Sequence, residues 1–111
     1  MLPKKTLTVR RYHAIVDDST GRYVSTLDST FTIKTTVQPA PEKALNALPQ
    51  GRDYYDVYRL FPQTELRSVE VNEHNPDIVE IDGSDYEVVK LQKWQNNIIP
   101  HYEAYVSKIK R

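Results

Sequence analysis

Residues 30–38 place alternate side chains on two faces, and a proline ends the alternation. Phe31, Ile33, Thr35 and Val37 share one face, whereas the alternate positions 32, 34, 36 and 38 are threonine, lysine, threonine and glutamine. A period of two residues is typical of a strand with one buried face. Proline cannot donate a hydrogen bond to a neighbouring strand. The sequence therefore predicts a half-buried strand that stops at Pro39.

A short helix is predicted after this strand. Ala44, Leu45 and Leu48 follow at helical spacing, and a proline is tolerated in the first turn of a helix. About two turns are too few for an independently stable helix. We therefore expect the segment to be held by packing, as a plug at an open end of the sheet. The predicted plug comprises Pro39, Pro41, Leu45, Leu48, Pro49 and Gly51.

The rest of the chain predicts further short strands separated by turns. Asp82-Gly83 indicates a β-hairpin, with a loop that Ser84-Asp85 lengthen. Residues 98–109 fit a helix or a strand, and Pro100 with the flanking sheet favours a strand. The other predicted strands are 6–16, 22–24, 53–61, 65–71, 78–81 and 86–94. The pattern predicts one all-β domain over residues 1–111, a small barrel or sandwich of six to eight antiparallel strands with one short helix.

Composition excludes several classes of protein. The chain has no cysteine, which rules out disulfides and thiolate zinc sites. Its apolar runs are too short for a transmembrane helix, and the basic N-terminus lacks the apolar stretch of a signal peptide. The formal net charge of zero argues against a strongly basic nucleic-acid-binding domain. We expect no cofactor and no membrane partner.

The charges are unevenly distributed along the chain. Residues 1–11 carry four basic residues and no acid, and we interpret residues 1–6 as a basic arm. Residues 65–87 carry eight acids against Arg67 alone. The simplest interpretation is a solvated acidic edge with basic termini.

No arrangement of residues indicates catalysis. His13, His74 and His101 lack the spacing of metal ligands, and the glycines are isolated in turns. The tyrosine-rich strand contains Asp53 and Asp56, which would repel a nucleic-acid backbone. We therefore expect no enzyme. The aromatic residues expected in the core or at an interface are Tyr54, Tyr55, Tyr58, Tyr86, Trp94 and Tyr102.

An ordered set of residues resembles the small neck proteins of tailed bacteriophages, which include collar, head-closure and head–tail connector proteins. The similarity covers roughly residues 21–107. The set comprises Gly21-Arg22-Tyr23-Val24, Ile33, Val37, Gln38-Pro39, Leu45, Leu48-Pro49, Gly51, the tyrosine-rich strand, Asp77-Ile78-Val79, Gly83, Tyr86-Glu87-Val88, Trp94 and His101-Tyr102.

The resemblance implies a structural virion protein without catalytic residues. Such proteins are similar to small β-barrels that form rings, sixfold or twelvefold, beneath the portal. They extend the channel for the phage DNA, help to retain it and present a surface to the tail. The implied partners are copies of the chain, a portal or head-completion (adaptor) protein, and a tail-terminator or other neck protein. The implied location is the virion neck, assembled in the host cytoplasm.

A ring would give the uneven charges a role, because contacts between successive subunits need two different, complementary faces. The basic and acidic segments would then contact neighbouring subunits or the proteins on the portal side and the tail side. Alternatively, the acidic segment would line the channel and repel DNA. The candidates for such contacts are Lys4, Lys5, Arg10, Arg11, Glu70, Glu73, Glu80 and Asp82.

Two alternatives remain open. A tail-terminator or tail-completion protein shares the size, the β content and the ring geometry. A monomeric barrel that binds nucleic acid in the manner of an OB-fold is the third possibility, although the net charge and the aspartates beside the tyrosines count against it.

Overall fold

The computed structural model describes residues 3–70, 75–96 and 99–109. Within them, seven strands form one antiparallel sheet in the order β2-β1-β5-β6-β7-β4-β3. The elements are β1 (Lys5–Val16), β2 (Tyr23–Thr35), β3 (Val37–Pro39), α1 (Glu42–Leu45), β4 (Tyr58–Leu60), β5 (Ile78–Ile81), β6 (Ser84–Asn96) and β7 (Ile99–Lys108). The predicted all-β class with one short helix is confirmed.

The sheet curls into a half-barrel because its two edge strands are joined by a single residue. β2 and β3 lie at opposite edges of the sheet, yet only Thr36 separates them in sequence. The curl is fastened at this point, where the Phe61 amide donates a hydrogen bond of 2.6 Å to Thr35 Oγ1. The end of β2 is thereby tied to the residue that follows β4.

The main core fills the inside of the curl. Alternation along each strand directs every second side chain inward, and the predicted inward position of Ile33 is confirmed. Each fully buried aliphatic side chain stabilises the fold by about 1.5–3 kcal/mol. The buried members are Leu7, Val9, Ile33, Leu60, Leu66, Val79, Ile81, Tyr86, Val88, Ala104 and Val106.

A smaller apolar cluster lies on the outer face of the sheet. Val89 and Tyr105 follow residues that point into the main core, so they point outward, and Leu48 and Val69 pack against them. The segment around α1 therefore covers the outer face of β6 and β7, and the expectation that it plugs an open end is wrong. α1 is a single turn. Its last residue, Leu45, was predicted to pack as part of the plug, whereas it is 40% exposed.

Four predicted strands differ from the structure. Residues 22–24 and 30–38 belong largely to one continuous strand, β2, because β1 pairs with it along its whole length. The strand predicted at 53–61 shrinks to Tyr58–Leu60, since Asp56 has a φ of +45° and interrupts the extended backbone. Residues 65–70 form no strand, although Leu66 and Val69 are buried.

The hairpin between β5 and β6 is tighter than predicted. Ile81 pairs with Ser84, so only Asp82 and Gly83 form the loop. Their φ angles of +49° and +80° are those of a two-residue turn that follows the twist of the strands. Ser84 and Asp85 belong to β6. The strand prediction for residues 98–109 is confirmed by β7 over Ile99–Lys108.

Candidate assembly surface

The paired strands β1 and β2 extend beyond the rest of the sheet. β1 pairs with β5 only at Thr8, Val9 and Arg10, whereas its pairing with β2 continues to Val16. We call residues 11–29 the distal ribbon. A β-bulge between Arg11 and Tyr12 marks its start. Within the described part of the chain, the distal ribbon is therefore a two-stranded projection.

Hydrogen bonds define the tip of the distal ribbon. The amides of Asp17 and Gly21 donate to the carbonyls of Arg22 and Asp17 at 2.8 and 2.7 Å. Asp17 Oδ1 accepts from the Ser19 hydroxyl at 2.8 Å and from the Ser19 amide at 3.0 Å. These two donors lower the pKa of Asp17. The tip is consequently an ordered turn that carries negative charge.

Both faces of the distal ribbon expose aliphatic side chains. Ile15 and Val24 are cross-strand partners and share one face, whereas Leu27 is paired with Tyr12 on the other face. Val16 lies four residues after Tyr12 and so shares its face. Ile15, Val16, Val24 and Leu27 are 46%, 54%, 43% and 51% exposed. Isolated two-stranded hairpins are marginally stable in water, and contiguous exposed apolar groups mark interaction sites.

A buried ion pair anchors the base of the distal ribbon. Arg11 Nε and Nη2 donate to the two carboxylate oxygens of Asp77 at 2.9 and 2.8 Å. The side chain of Asp77 is fully buried and also accepts the Arg67 amide at 2.8 Å. The Arg11 guanidinium lies 5.0 Å from the centre of the Phe31 ring. Its bond to Asp77 raises the pKa of Arg11.

Several of the charges predicted at an interface are paired within the subunit. Arg10 forms an ion pair with Asp85 at 2.5 Å, and Arg11 pairs with Asp77. Both acids belong to the acidic segment 65–87, so part of the charge asymmetry is neutralised inside one chain. Glu73 lies outside the described residues. The predicted charged residues that the structure leaves exposed are Lys4, Lys5, Glu70, Glu80 and Asp82.

The predicted aromatic residues are dispersed. Tyr58 and Tyr86 contact each other on the core side with ring centres 5.6 Å apart. Tyr54 packs in the outer cluster and its hydroxyl donates to the Pro49 carbonyl. Burial raises the pKa of both Tyr54 and Tyr86.

The remaining aromatic positions differ in burial. Tyr102 is buried, whereas Tyr55 is exposed. The side chain of Trp94 lies outside those that the structure describes. The tyrosine-rich segment thus presents no continuous aromatic face.

A shallow groove lies beside α1 on the outer face. Its apolar lining residues are Pro41, Ala44, Ala47 and Tyr105, and its volume is about 430 Å³. Lys43 and Lys90 also line it, and Lys90 Nζ donates to the Ala47 carbonyl at 3.2 Å. Gln92 and Glu103 complete the lining, and Glu103 accepts a hydrogen bond from the Tyr105 hydroxyl. We call this site the outer groove.

Sequence reasoning missed the distal ribbon as a functional element. The only available signal was the placement of Ile15, Val16 and Val24 on either side of a polar turn. Such a pattern also fits a hairpin whose apolar side chains are covered within the subunit.

The described residues contain no group of three or more histidine, aspartate or glutamate side chains that could hold a metal ion. None of the helical structure in the described ranges is long and apolar enough to span a bilayer.

Comparison with known proteins gives one family. The family model of the E217 collar protein gp28 matches residues 1–98. The chain belongs to this collar protein family. A phage collar protein is a structural part of the neck, in agreement with the resemblance that the sequence indicated. No curated protein matches this collar-family chain significantly.

Proposed function

We propose that this collar-family chain is a ring-forming subunit of the connector between the head and the tail of a phage. The ring extends the portal channel, helps to retain packaged DNA and provides a surface for tail attachment. Family membership supports the neck location. The exposed distal ribbon supports assembly, because its four aliphatic residues stay 43–54% exposed among the residues that the structure describes.

The observation that carries the proposal is the contrast between the ordered tip and the exposed faces of the distal ribbon. A hairpin that served only as a connection would be shorter, and its solvent faces would be polar. Here six residues of β1 continue beyond Arg10 with apolar groups on both faces. A subunit that projects such an element is completed by a neighbour, as in heterologous rings.

Exposed acidic residues are the candidates for contact with a partner or for lining the channel. Glu80 and Asp82 are two residues apart in sequence at the β5–β6 hairpin. Glu70 is exposed at the end of the described range 3–70. If these side chains face the channel, their charge repels the phosphate backbone and keeps DNA from adhering during passage. If they face a portal-side or tail-side protein, they contribute to selection of that partner.

A tail-terminator or tail-completion protein is the second candidate, since the same projecting ribbon would serve a ring at the end of a tail tube. A nucleic-acid-binding barrel is less well supported. Binding of single strands requires several aromatic faces in one groove, whereas Tyr54 and Tyr58 are packed in separate clusters.

Phage particles produced without the chain test the proposal. We expect DNA-filled heads that lack tails or lose their DNA, visible by electron microscopy and by sensitivity of the packaged DNA to nuclease. Complementation with the wild-type chain serves as the control. Normal infectious particles without the chain would refute the proposal, and full heads accompanied by overlong tails would favour the tail-terminator alternative.

A further inference from the structure

We propose that the distal ribbon of one subunit docks into the outer groove of the adjacent copy of the same chain. This inference rests on the proposed ring and specifies which two surfaces meet. It combines the exposed aliphatic residues of the distal ribbon with an apolar groove at a different place on the fold.

The two surfaces match in polarity. The apolar part of the groove lining consists of two alanines, a proline and the ring of Tyr105. Its volume of about 430 Å³ falls within the roughly 300–1,000 Å³ of sites that enclose organic groups. Val16 and Leu27, which share one face of the distal ribbon, are aliphatic groups of the kind that such an apolar lining accommodates.

The two surfaces also match in charge. Asp17 and Asp18 lie at the tip of the distal ribbon, with Arg22 as a single nearby cation. Lys43 and Lys90 line the outer groove, and its acidic lining residue, Glu103, accepts a hydrogen bond from the Tyr105 hydroxyl. When the aliphatic residues enter the groove, the acidic tip reaches these two lysines. Complementary charges of this kind fix the register of an interface.

The dimensions allow contact between subunits. The six residues of β1 beyond Arg10 span about 20 Å at about 3.3 Å per residue. The molecule measures 52 × 29 × 29 Å, so the length of the distal ribbon is of the same order as the width of a neighbouring subunit. Because the projection and its complement lie at different places on one chain, repetition of the contact generates a ring or a filament. A second copy is therefore the occupant that we infer.

Engineered disulfides test the contact directly, because the chain has no cysteine of its own. Val16→Cys and Ala47→Cys are combined in one chain, and particles assembled from it are oxidised. We expect a ladder of disulfide-linked oligomers on a non-reducing gel. Val16→Cys combined with Thr32→Cys, which is exposed on the paired part of β2, is the matched control and should give no ladder.

A charge exchange provides a second test. Asp18→Lys and Lys43→Glu should each lower incorporation of the chain into particles by about tenfold, the effect of roughly 1.4 kcal/mol. The double variant should restore it. Asp53→Lys, an exposed change on neither surface, should leave incorporation unchanged.

The failure of this inference can be distinguished from the failure of the proposed function. A ring visible by electron microscopy in the neck, together with no Val16→Cys–Ala47→Cys ladder and no rescue by the double variant, would overturn the docking contact alone. Particles whose neck contains no ring of this chain would overturn both.

Discussion

The two halves of the β1–β2 strand pair have similar residues and opposite surroundings. In the first half, Leu7, Val9 and Ile33 are buried because other strands and their side chains close over them. In the second half, Ile15 and Val24 are equally apolar and remain exposed. The change occurs at the bulge after Arg11. An apolar pattern in a strand thus indicates that one face is buried, but it does not indicate whether the same chain or a neighbouring one buries it.

The ion pair at the boundary separates the two halves, and breaking it should have a large effect. Asp77→Asn leaves Arg11 without its charged partner in a buried site, and breaking such a pair costs about 3–5 kcal/mol. We expect a loss near the lower value, because the amide keeps one acceptor oxygen. Denaturant unfolding of the isolated chain measures it.

The control is Glu87→Gln, which breaks the partly exposed pair with Arg52. Pairs at such positions contribute about 0–1 kcal/mol. Equal effects of the two substitutions would show that the base of the distal ribbon is not specially anchored.

A matched pair of isoleucine substitutions compares the halves directly. Ile33→Ala in the core should lower the free energy of unfolding by about 2–5 kcal/mol. Ile15→Ala in the distal ribbon should change it by no more than about 0.5 kcal/mol. Thermal or denaturant unfolding of both variants tests this. A loss above 2 kcal/mol for Ile15→Ala would mean that the subunit itself covers the distal ribbon.

Alkaline pH should weaken the body of the fold. Burial raises the pKa of Tyr54, Tyr86 and Tyr105 above the ordinary value of 10.0, with a bond to Glu103 adding to the effect on Tyr105. Above pH 10 the unfolded chain loses these protons while the folded chain retains them, so stability falls as the pH rises. Each tyrosine contributes up to about 1.4 kcal/mol per pH unit until its folded pKa is reached.

Unfolding measured from pH 8 to 11.5 checks the direction of this dependence. The free energy of unfolding should be constant with respect to these three groups below pH 10 and should decline above it. Tyr86→Phe should make this decline in the free energy of unfolding smaller, because one of the three titrating tyrosines is removed. A stability that rises above pH 10 would contradict the burial of these rings.

The two hairpin glycines compare a turn of the body with the tip of the distal ribbon. Gly83 and Gly21 have φ angles of +80° and +71°, where an alanine is strained by about 1–2 kcal/mol. Gly83→Ala should lower global stability by that amount, because its turn joins two strands of the body. Gly21→Ala should lower it by less, since the tip can open locally. Hydrogen exchange should then accelerate at residues 15–24 only.

Much of the fold could be predicted from local sequence. Alternation placed Ile33 inward, and the Asp82-Gly83 dipeptide indicated the hairpin. β2 was predicted as two strands, 22–24 and 30–38. Ser25, Asp28 and Ser29 between them are residues that favour turns, whereas pairing with β1 keeps this stretch extended. Tertiary contacts overrode local preference there.

The candidate site was harder to predict, because it depends on contacts between distant residues. Arg11 was assigned to an interface, whereas it binds Asp77, 66 residues away. The exposure of Ile15 and Val24 depends on which strands stop short of them, and no local pattern contains that information. Leu48 was correctly identified as a packing residue, but the face that it covers is set by Val89 and Tyr105.

Thiol labelling measures directly whether assembly covers the distal ribbon. Val16→Cys provides a single thiol in a chain without cysteine, on the face that docks. A maleimide should label it rapidly in the isolated subunit and at least about tenfold more slowly in assembled particles, with Thr32→Cys on β2 as the exposed reference. Equal labelling of Val16→Cys in the subunit and in particles would contradict the coverage of the distal ribbon by assembly.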